Sequence, residues 1–178
     1  MTPATDYPDR YDLACAMVKH GARLKLVHME TGIKLPTLRD IYIRLHKKPP
    51  PKGQPRQSLR RAFRNVRAYK EGVFFADCLR IAMDGCEPGN RALAILDAYV
   101  LYRHTLSGGV VNITTAWLVA DRLQSGAIAT AQCPHCKATI LLNVRNVKIE
   151  RCAVCKTAPD KNSKPMQRSD GNEYKTLS

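Results

Sequence analysis

Residues 23–47 read RLKLVHMETGIKLPTLRDIYIRLHK, two short helical runs on either side of a glycine. In the first run, Arg23–Thr31, the side chains of Leu24, Val27 and Thr31 fall on one side of a helix. Gly32-Ile33 supplies a turn. Pro36 suits the first turn of the next helix, or Thr37 caps it with Asp40 three residues on. Leu38, Ile41, Tyr42 and Leu45 then give the i, i+3, i+4, i+7 stripe of an amphipathic helix ending near Lys47. Helix, glycine turn and second helix of these lengths are the punctuation of a helix-turn-helix. In that unit the second helix enters the major groove and offers polar side chains to base edges. Thr37, Arg39, Asp40 and Ile43 alternate with the apolar stripe, and Arg39 is placed for bidentate contact with guanine. Lys34, Arg44, Lys47, Lys48 and Lys52 would serve phosphates.

The charge distribution supports this reading. Of the formal net charge of +14, nearly all lies in residues 19–70, where fifteen lysines and arginines face only Glu30 and Asp40, a net +13. A solvated surface mixes signs, whereas a one-sign concentration attracts polyanions. Arg60, Arg61, Arg64 and Arg67 extend the basic stretch beyond the second helix. The stretch lacks the bulky apolar anchors of a membrane-surface helix, so duplex nucleic acid is the expected partner and a membrane is not.

Outward from this stretch the chain reads as helical in both directions. Tyr11–Lys19 carries Leu13, Ala14, Met17 and Val18 at helical spacing, and Gly21 ends that run. Pro49-Pro50-Pro51-Lys52-Gly53 cannot continue a helix and closes a helix-turn-helix-like region at residues 1–58. Residues 59–126 read as a second helical region, a core and partner-binding part. There, Phe75, Cys78, Leu79, Ala82 and Cys86 form a stripe broken by Glu87-Pro88-Gly89. Asn90 is placed to cap Arg91–His104, whose Ala92, Ile95, Leu96, Tyr99 and Tyr102 face a core. After the loop Ser107-Gly108-Gly109, Asn112 is placed to cap a helix through Trp117, Leu118 and Leu123 that Gly126 ends. Residues 127–157 change character, with Thr139–Ile149 reading as short strands, and residues 158–178 read as a mobile, basic tail.

The seven cysteines are an odd number, which suits metal ligation better than a disulfide framework. Cys133-Pro-His-Cys136 precedes Cys152-Ala-Val-Cys155 by fifteen residues. Each two-residue gap lets both thiolates bind one ion, and two such knuckles supply the closed tetrahedral set of a structural Zn2+, one per chain. A hairpin between the knuckles would complete a zinc ribbon. Cys15, Cys78 and Cys86 lie on apolar stripes and read as small buried hydrophobes, and His135 as a surface residue within the first knuckle. The expected fold is therefore mainly α, a helical DNA-binding domain with a small C-terminal zinc ribbon.

Four thiolates leave no coordination position for substrate, and the chain has no P-loop, nucleophile elbow or metalloprotease motif, so an enzyme is not expected. Residues 1–18 lack the apolar core of a signal peptide and no run reaches the roughly 20 apolar residues of a membrane helix, so a cytoplasmic protein is expected. Charge alone cannot tell DNA from RNA, which leaves a zinc-ribbon RNA-binding or ribosome-associated protein as an alternative, and a zinc-stabilised protein scaffold as another.

Several motifs in their order resemble the FlhC family. They are Gly21-Ala22-Arg23-Leu24, Glu30-Thr31, Leu45, the Pro49-Pro50-Pro51-Lys52-Gly53 run, Ala116-Trp117 and Ser125-Gly126, followed by the four cysteines. The likeness spans about residues 12–156. It departs from the family at Gln57–Lys70, arginine-rich here where members carry a Trp-containing aromatic stretch, and in its short tail. The resemblance implies a heterohexamer of two such chains with four copies of a smaller partner, FlhD. That assembly would bind promoter DNA and activate flagellar and other operons through RNA polymerase. It also implies zinc on Cys133, Cys136, Cys152 and Cys155.

Overall fold

The computed structural model describes residues 7–51, 58–63, 65–85, 90–133, 135–143, 152 and 154–156. The chain is mainly helical, as its sequence predicts. Helices α1 (Tyr7–Lys19), α2 (Leu24–Thr31) and α3 (Leu35–His46) pack on one another at the N-terminal end. Schellman geometry stops α1: the Gly21 N–H donates to the Val18 carbonyl and the Ala22 N–H to the Met17 carbonyl. Gly32, at φ 72°, ends α2 in the left-handed region, which costs a glycine little. Pro36 lies in the first turn of α3, and Lys34 occupies the N-cap position; the capping role considered for Thr37 is not taken.

Further along come the four-residue α4 (Leu59–Ala62), then α5 (Val66–Asp84), α6 (Arg91–Thr105) and α7 (Ile113–Gln124). Helices α5 and α6 pack closely and α7 rests on both. Asn112 caps α7 by accepting the Thr115 N–H at 2.9 Å, as expected, and Asn65 caps α5 through the Ala68 N–H at 2.8 Å. Asn90 stands at the N-cap of α6 without a side-chain capping bond, contrary to the expectation; its backbone carbonyl accepts the Ala94 N–H. Cys86 and residues 158–178 lie outside the described residues, as do Lys52, Arg64 and the Glu87–Gly89 breaker.

One hydrophobic cluster runs through both helical groups. Met17, Val18, Val27, Leu38 and Ile41 are buried in it together with Phe75, Ile95, Tyr102, Ile113 and Trp117. Burial of this size, at about 25 cal/mol per Å2 of apolar area, is the main stabiliser of the helical body. Between the groups, the His20 ring meets Tyr99 edge-on at 5.6 Å, and Arg91 bridges Glu30 (3.3 Å) and Asp121. Burial, with Lys19 and Arg103 nearby, holds the His20 imidazole below its ordinary pKa.

The C-terminal module contains a hairpin that begins before the first knuckle. Strand β2 (Thr139–Asn143) pairs antiparallel with β1 (Ile128–Gln132), in the register Ile128↔Asn143 to Gln132↔Thr139. This hairpin brackets the first knuckle; Thr139–Asn143 is a strand as read, and the rest of the stretch expected to form a hairpin between the knuckles, residues 144–150, lies outside the described residues. Burial along β1 does not alternate: Ile128 and Ala131, three positions apart and so on opposite faces, are both buried, the first in the helical cluster and the second in the cysteine cluster.

Candidate metal centre and candidate nucleic-acid interface

The two knuckles are built alike. In each, the lysine after the second cysteine, Lys137 or Lys156, takes positive φ (58° and 59°) and returns its N–H to the carbonyl of the first cysteine, at 2.9 and 2.8 Å. That turn aims both sulfurs of a pair inward. Cys133 Sγ lies 3.8 Å from Cys155 Sγ, Cys136 Sγ lies 3.7 Å from Cys152 Sγ, and all four sulfurs fall within 4.8 Å of one another. An ion about 2.3 Å from each of four sulfurs at tetrahedral angles requires sulfurs about 3.8 Å apart. The donor set therefore fits a tetrahedral thiophilic ion, and zinc satisfies it.

Amide hydrogens support the sulfurs. The Val154 N–H points at Cys152 Sγ at 3.4 Å. The amides of Cys136 and His135 overcome desolvation and hold the Cys133 thiol below its ordinary pKa. At Cys136 the Ala138 amide acts in the same sense, but desolvation and proton sharing with the other three thiols win, and that thiol is pushed up to about 11. Without an ion the four sulfurs cannot all ionise; a dication removes that conflict. His135 is exposed and the metal-competent cluster contains no histidine, as expected.

The α2–α3 unit has a rigid turn. Thr31 Oγ1 donates to the Val27 carbonyl at 2.7 Å and accepts the Ile33 N–H at 3.3 Å, while His28 Nδ1 donates to the Ile33 carbonyl at 2.8 Å. At the other end of α3, His46 stacks on Tyr42 and its Nε2 donates to the Val18 carbonyl at 2.8 Å. Leu38, Ile41 and Tyr42 are buried as the stripe predicts. Leu45 is 44% exposed and departs from it; His46, not Leu45, closes that end of the packing.

On the opposite side, Lys34, Thr37, Arg39, Asp40, Ile43, Arg44, Lys47 and Lys48 are all exposed. Among the described residues, no ion pair involves Lys34, Arg39, Lys47 or Lys48. Arg44 donates to the Tyr11 hydroxyl at 2.6 Å. Arg23 Nη1 donates to the Pro51 carbonyl at 2.9 Å, tying the proline run back to the start of α2. Arg61 is exposed on α4; Lys52, Arg64 and the Arg60 side chain lie outside the described residues.

Arg67 is exposed, as expected of the basic surface, but its guanidinium is also engaged within the molecule. It donates to Glu71 Oε1 at 2.8 Å and to the Gly108 carbonyl at 2.7 Å. Glu71, buried, also accepts the Tyr102 hydroxyl and the Val110 N–H, both at 2.5 Å, and Tyr102 in turn accepts the Val111 N–H at 3.0 Å. Arg103 donates to the Gly109 carbonyl at 2.9 Å. Burial alone would raise the Glu71 carboxyl; the Tyr102, Arg67 and Val110 donors outweigh it and leave the pKa below the ordinary value. Burial and the carboxylate push Tyr102 up. This clip pins the Ser107–Val111 loop against α5 and α6. A lone Glu beside an i−4 Arg gives no sign in sequence of such burial.

Taken together, fold and site define a mainly helical, basic protein with an exposed cationic face on the second helix of a helix–glycine turn–helix unit and a C-terminal four-cysteine module able to hold a metal ion. The family model "Flagellar transcriptional activator (FlhC)" matches residues 6–169. The chain belongs to this FlhC family of flagellar transcriptional regulators. It is 26% identical over 156 residues to the flagellar transcriptional regulator FlhC of Cupriavidus metallidurans, an alignment covering 85% of this chain and 72% of that protein. Among the described residues, no helix is long and apolar enough to cross a membrane.

Proposed function

We propose that this chain is the DNA-binding subunit of a heteromeric, cytoplasmic transcription activator. It acts on promoter DNA with a smaller FlhD-like partner, two chains to four, and turns on flagellar and other operons through RNA polymerase. Helix α3 is the recognition element, with Arg39, Asp40 and Thr37 toward base edges. Lys34, Arg44, Lys47, Lys48, Lys52, Arg60, Arg61 and Arg64 serve phosphates. Residues 59–126 engage the partner, and Leu93, Val100 and Leu101, exposed on α6, are consistent with that role. The structural ion is Zn2+, one per chain, on Cys133, Cys136, Cys152 and Cys155; it cross-links two chain segments and leaves no open position for catalysis.

The observation that carries this reading is the outward face of α3, whose cations oppose a buried apolar stripe and bond to no carboxylate among the described residues. Such a face is stable only in water or against anions. Membership of a transcriptional activator family supplies the context.

Titration of the partner-bound protein onto a promoter duplex across salt concentrations tests it. The log of affinity should fall linearly with log salt, by about 0.9 per phosphate neutralised. Affinity unchanged by salt would end the electrostatic account. Tighter binding to structured RNA than to any duplex would favour the zinc-ribbon RNA-binding alternative.

A further inference from the structure

The metal module meets the helical body where Ile128 of β1 and Leu141 of β2 pack against its hydrophobic cluster, and one tyrosine adds hydrogen bonds at that contact. Tyr69 on α5 uses its hydroxyl twice on Leu141 of β2: it accepts the Leu141 N–H at 2.9 Å and donates to the Leu141 carbonyl at 3.1 Å. The hydroxyl therefore stands in for one residue of a neighbouring strand, 72 positions away in sequence. On its other side the Tyr69 ring meets Phe63 edge-on, centroids 6.1 Å apart. Phe63 directly follows α4, and its ring fills the space where a side chain at position 72 would stand, since a Cβ built on Gly72 would lie 2.3 Å from it. The Phe63 N–H also closes the α4 turn on the Leu59 carbonyl at 2.7 Å.

A chain of contacts thus runs from the cysteine knuckles through β2 to Tyr69, Phe63 and the turn that carries Arg61. Strand β2 begins at Thr139, three residues after Cys136, and among the described residues the module's own buried cluster holds Ala131, Cys133, Ile140 and Cys152. Its hairpin is tied directly to the first knuckle, which the two strands bracket. We propose that Tyr69 is a positioning residue that couples metal occupancy of the four-cysteine module to the placement of the arginine-bearing α4 turn. When the ion leaves, Leu141 releases the hydroxyl, Phe63 loses its backing, and the turn moves from the position in which it can meet phosphates. That last step rests on the DNA-binding reading above; the coupling itself does not.

Limited trypsin digestion of the full zinc-loaded chain tests the coupling, because trypsin cuts after arginine. Cleavage at Arg60 or Arg61 should rise at least about fivefold on chelation, the lower end of ordinary coupling between sites, while cleavage at Arg80 and Arg103 in the helical body stays unchanged. Tyr69→Phe keeps the ring and removes the hydroxyl. It should give the raised cleavage with zinc still bound, lose the response to chelator, and, by reciprocity, bind zinc at least about fivefold more weakly. The visible spectrum of the cobalt-substituted variant should remain that of a four-thiolate site. Should Tyr69→Phe fold poorly, Phe63→Leu, at the far end of the relay, should abolish the chelator response at Arg61 with the Leu141 bonds in place.

Cleavage at Arg61 that ignores chelator in the unaltered chain would overturn the proposal. So would a rise that runs in parallel at Arg80 and Arg103, because the loosening would then be global. On a random-sequence duplex, chelation and Tyr69→Phe should each make the salt dependence shallower by the phosphates α4 no longer reaches. A chain that binds no duplex at all would defeat the DNA reading, and the protease comparison would still decide the coupling.

Discussion

The helical body and the four-cysteine module are stabilised in opposite ways. The body buries Trp117, Tyr102, Phe75, Met17, Leu38 and other large side chains in a cluster that runs from α1 to α7. Among the described residues the module's own buried cluster contains Ala131, Cys133, Ile140 and Cys152, with Cys155 packed beside it. Two of those buried groups are thiols that only an ion can hold together in charged form. A segment this small gains little from apolar burial, so an ion held by the four cysteines would take the place of a core.

The largest expected effect separates the two regions directly. Chelation, or Cys152→Ser, should abolish binding of one metal equivalent per chain. It should also unfold the hairpin, since structural zinc in comparable small modules supplies about 10–16 kcal/mol. Helical circular dichroism should persist while cysteine thiols become reactive. If helix and module melted together on metal removal, the body would depend on the ion and the contrast would fail. Elemental analysis with thiol titration and circular dichroism makes the measurement.

A core truncation probes the other side. Leu38 is fully buried on the inner face of α3, so Leu38→Ala should cost about 2–5 kcal/mol by lost burial and cavity formation. Denaturant unfolding should show this loss with metal stoichiometry intact. Zinc loss accompanying the Leu38→Ala change would mean that the regions are not separately stabilised.

A third effect is smaller and depends on pH. Glu71 has a folded pKa below its ordinary value of 4.5, so its contribution is present above about that pH and is lost as pH falls through the lower folded value. Hydrogen bonds to a charged group are worth about 1.5–3 kcal/mol each, although partial solvent screening of Arg67 reduces its share. Glu71→Gln should therefore destabilise the body at pH 7 by about 2 kcal/mol, and the gap from the unaltered protein should close on acidification below about pH 4.5. Because both proteins release metal in acid, their difference isolates the clip. A gap that stayed constant with pH would show that the carboxylate charge is not what pins the Ser107–Val111 loop.

What could be read from the chain alone follows the range of the forces involved. Helix α3 was legible because Leu38, Ile41 and Tyr42 repeat at helical spacing and Gly32 and Pro36 mark its start. The cysteine set was legible because coordination chemistry fixes the two-residue gaps. Strand β1 was not: Ile128-Ala-Thr-Ala-Gln becomes a strand only because Thr139–Asn143 lies beside it. Likewise Glu71 and Tyr69 look like ordinary helix residues until a loop near residue 110 and a strand at Leu141 reach them. Contacts set by tertiary closure leave no periodic trace. Leu45 shows the converse, a residue that fits the pattern but sits where the packing has ended.

The smallest structural effect belongs to the surface on which the proposed function rests. Arg39 and Lys47 are exposed and contribute nothing to the buried stripe of α3, so replacing either with alanine should change stability by no more than about 0.5 kcal/mol. Their effects on DNA should differ from each other. Arg39→Ala should erode discrimination between preferred and altered duplexes by about 1–3 kcal/mol, the value of a bidentate contact to a base. Lys47→Ala should weaken all duplexes alike and reduce the salt slope by about 0.9, the signature of one phosphate. Competition binding of both variants, with the partner present, distinguishes these outcomes. If Arg39→Ala left discrimination intact while lowering stability by more than 1 kcal/mol, the outward face of α3 would be structural, and base reading would have to come from elsewhere in the assembly.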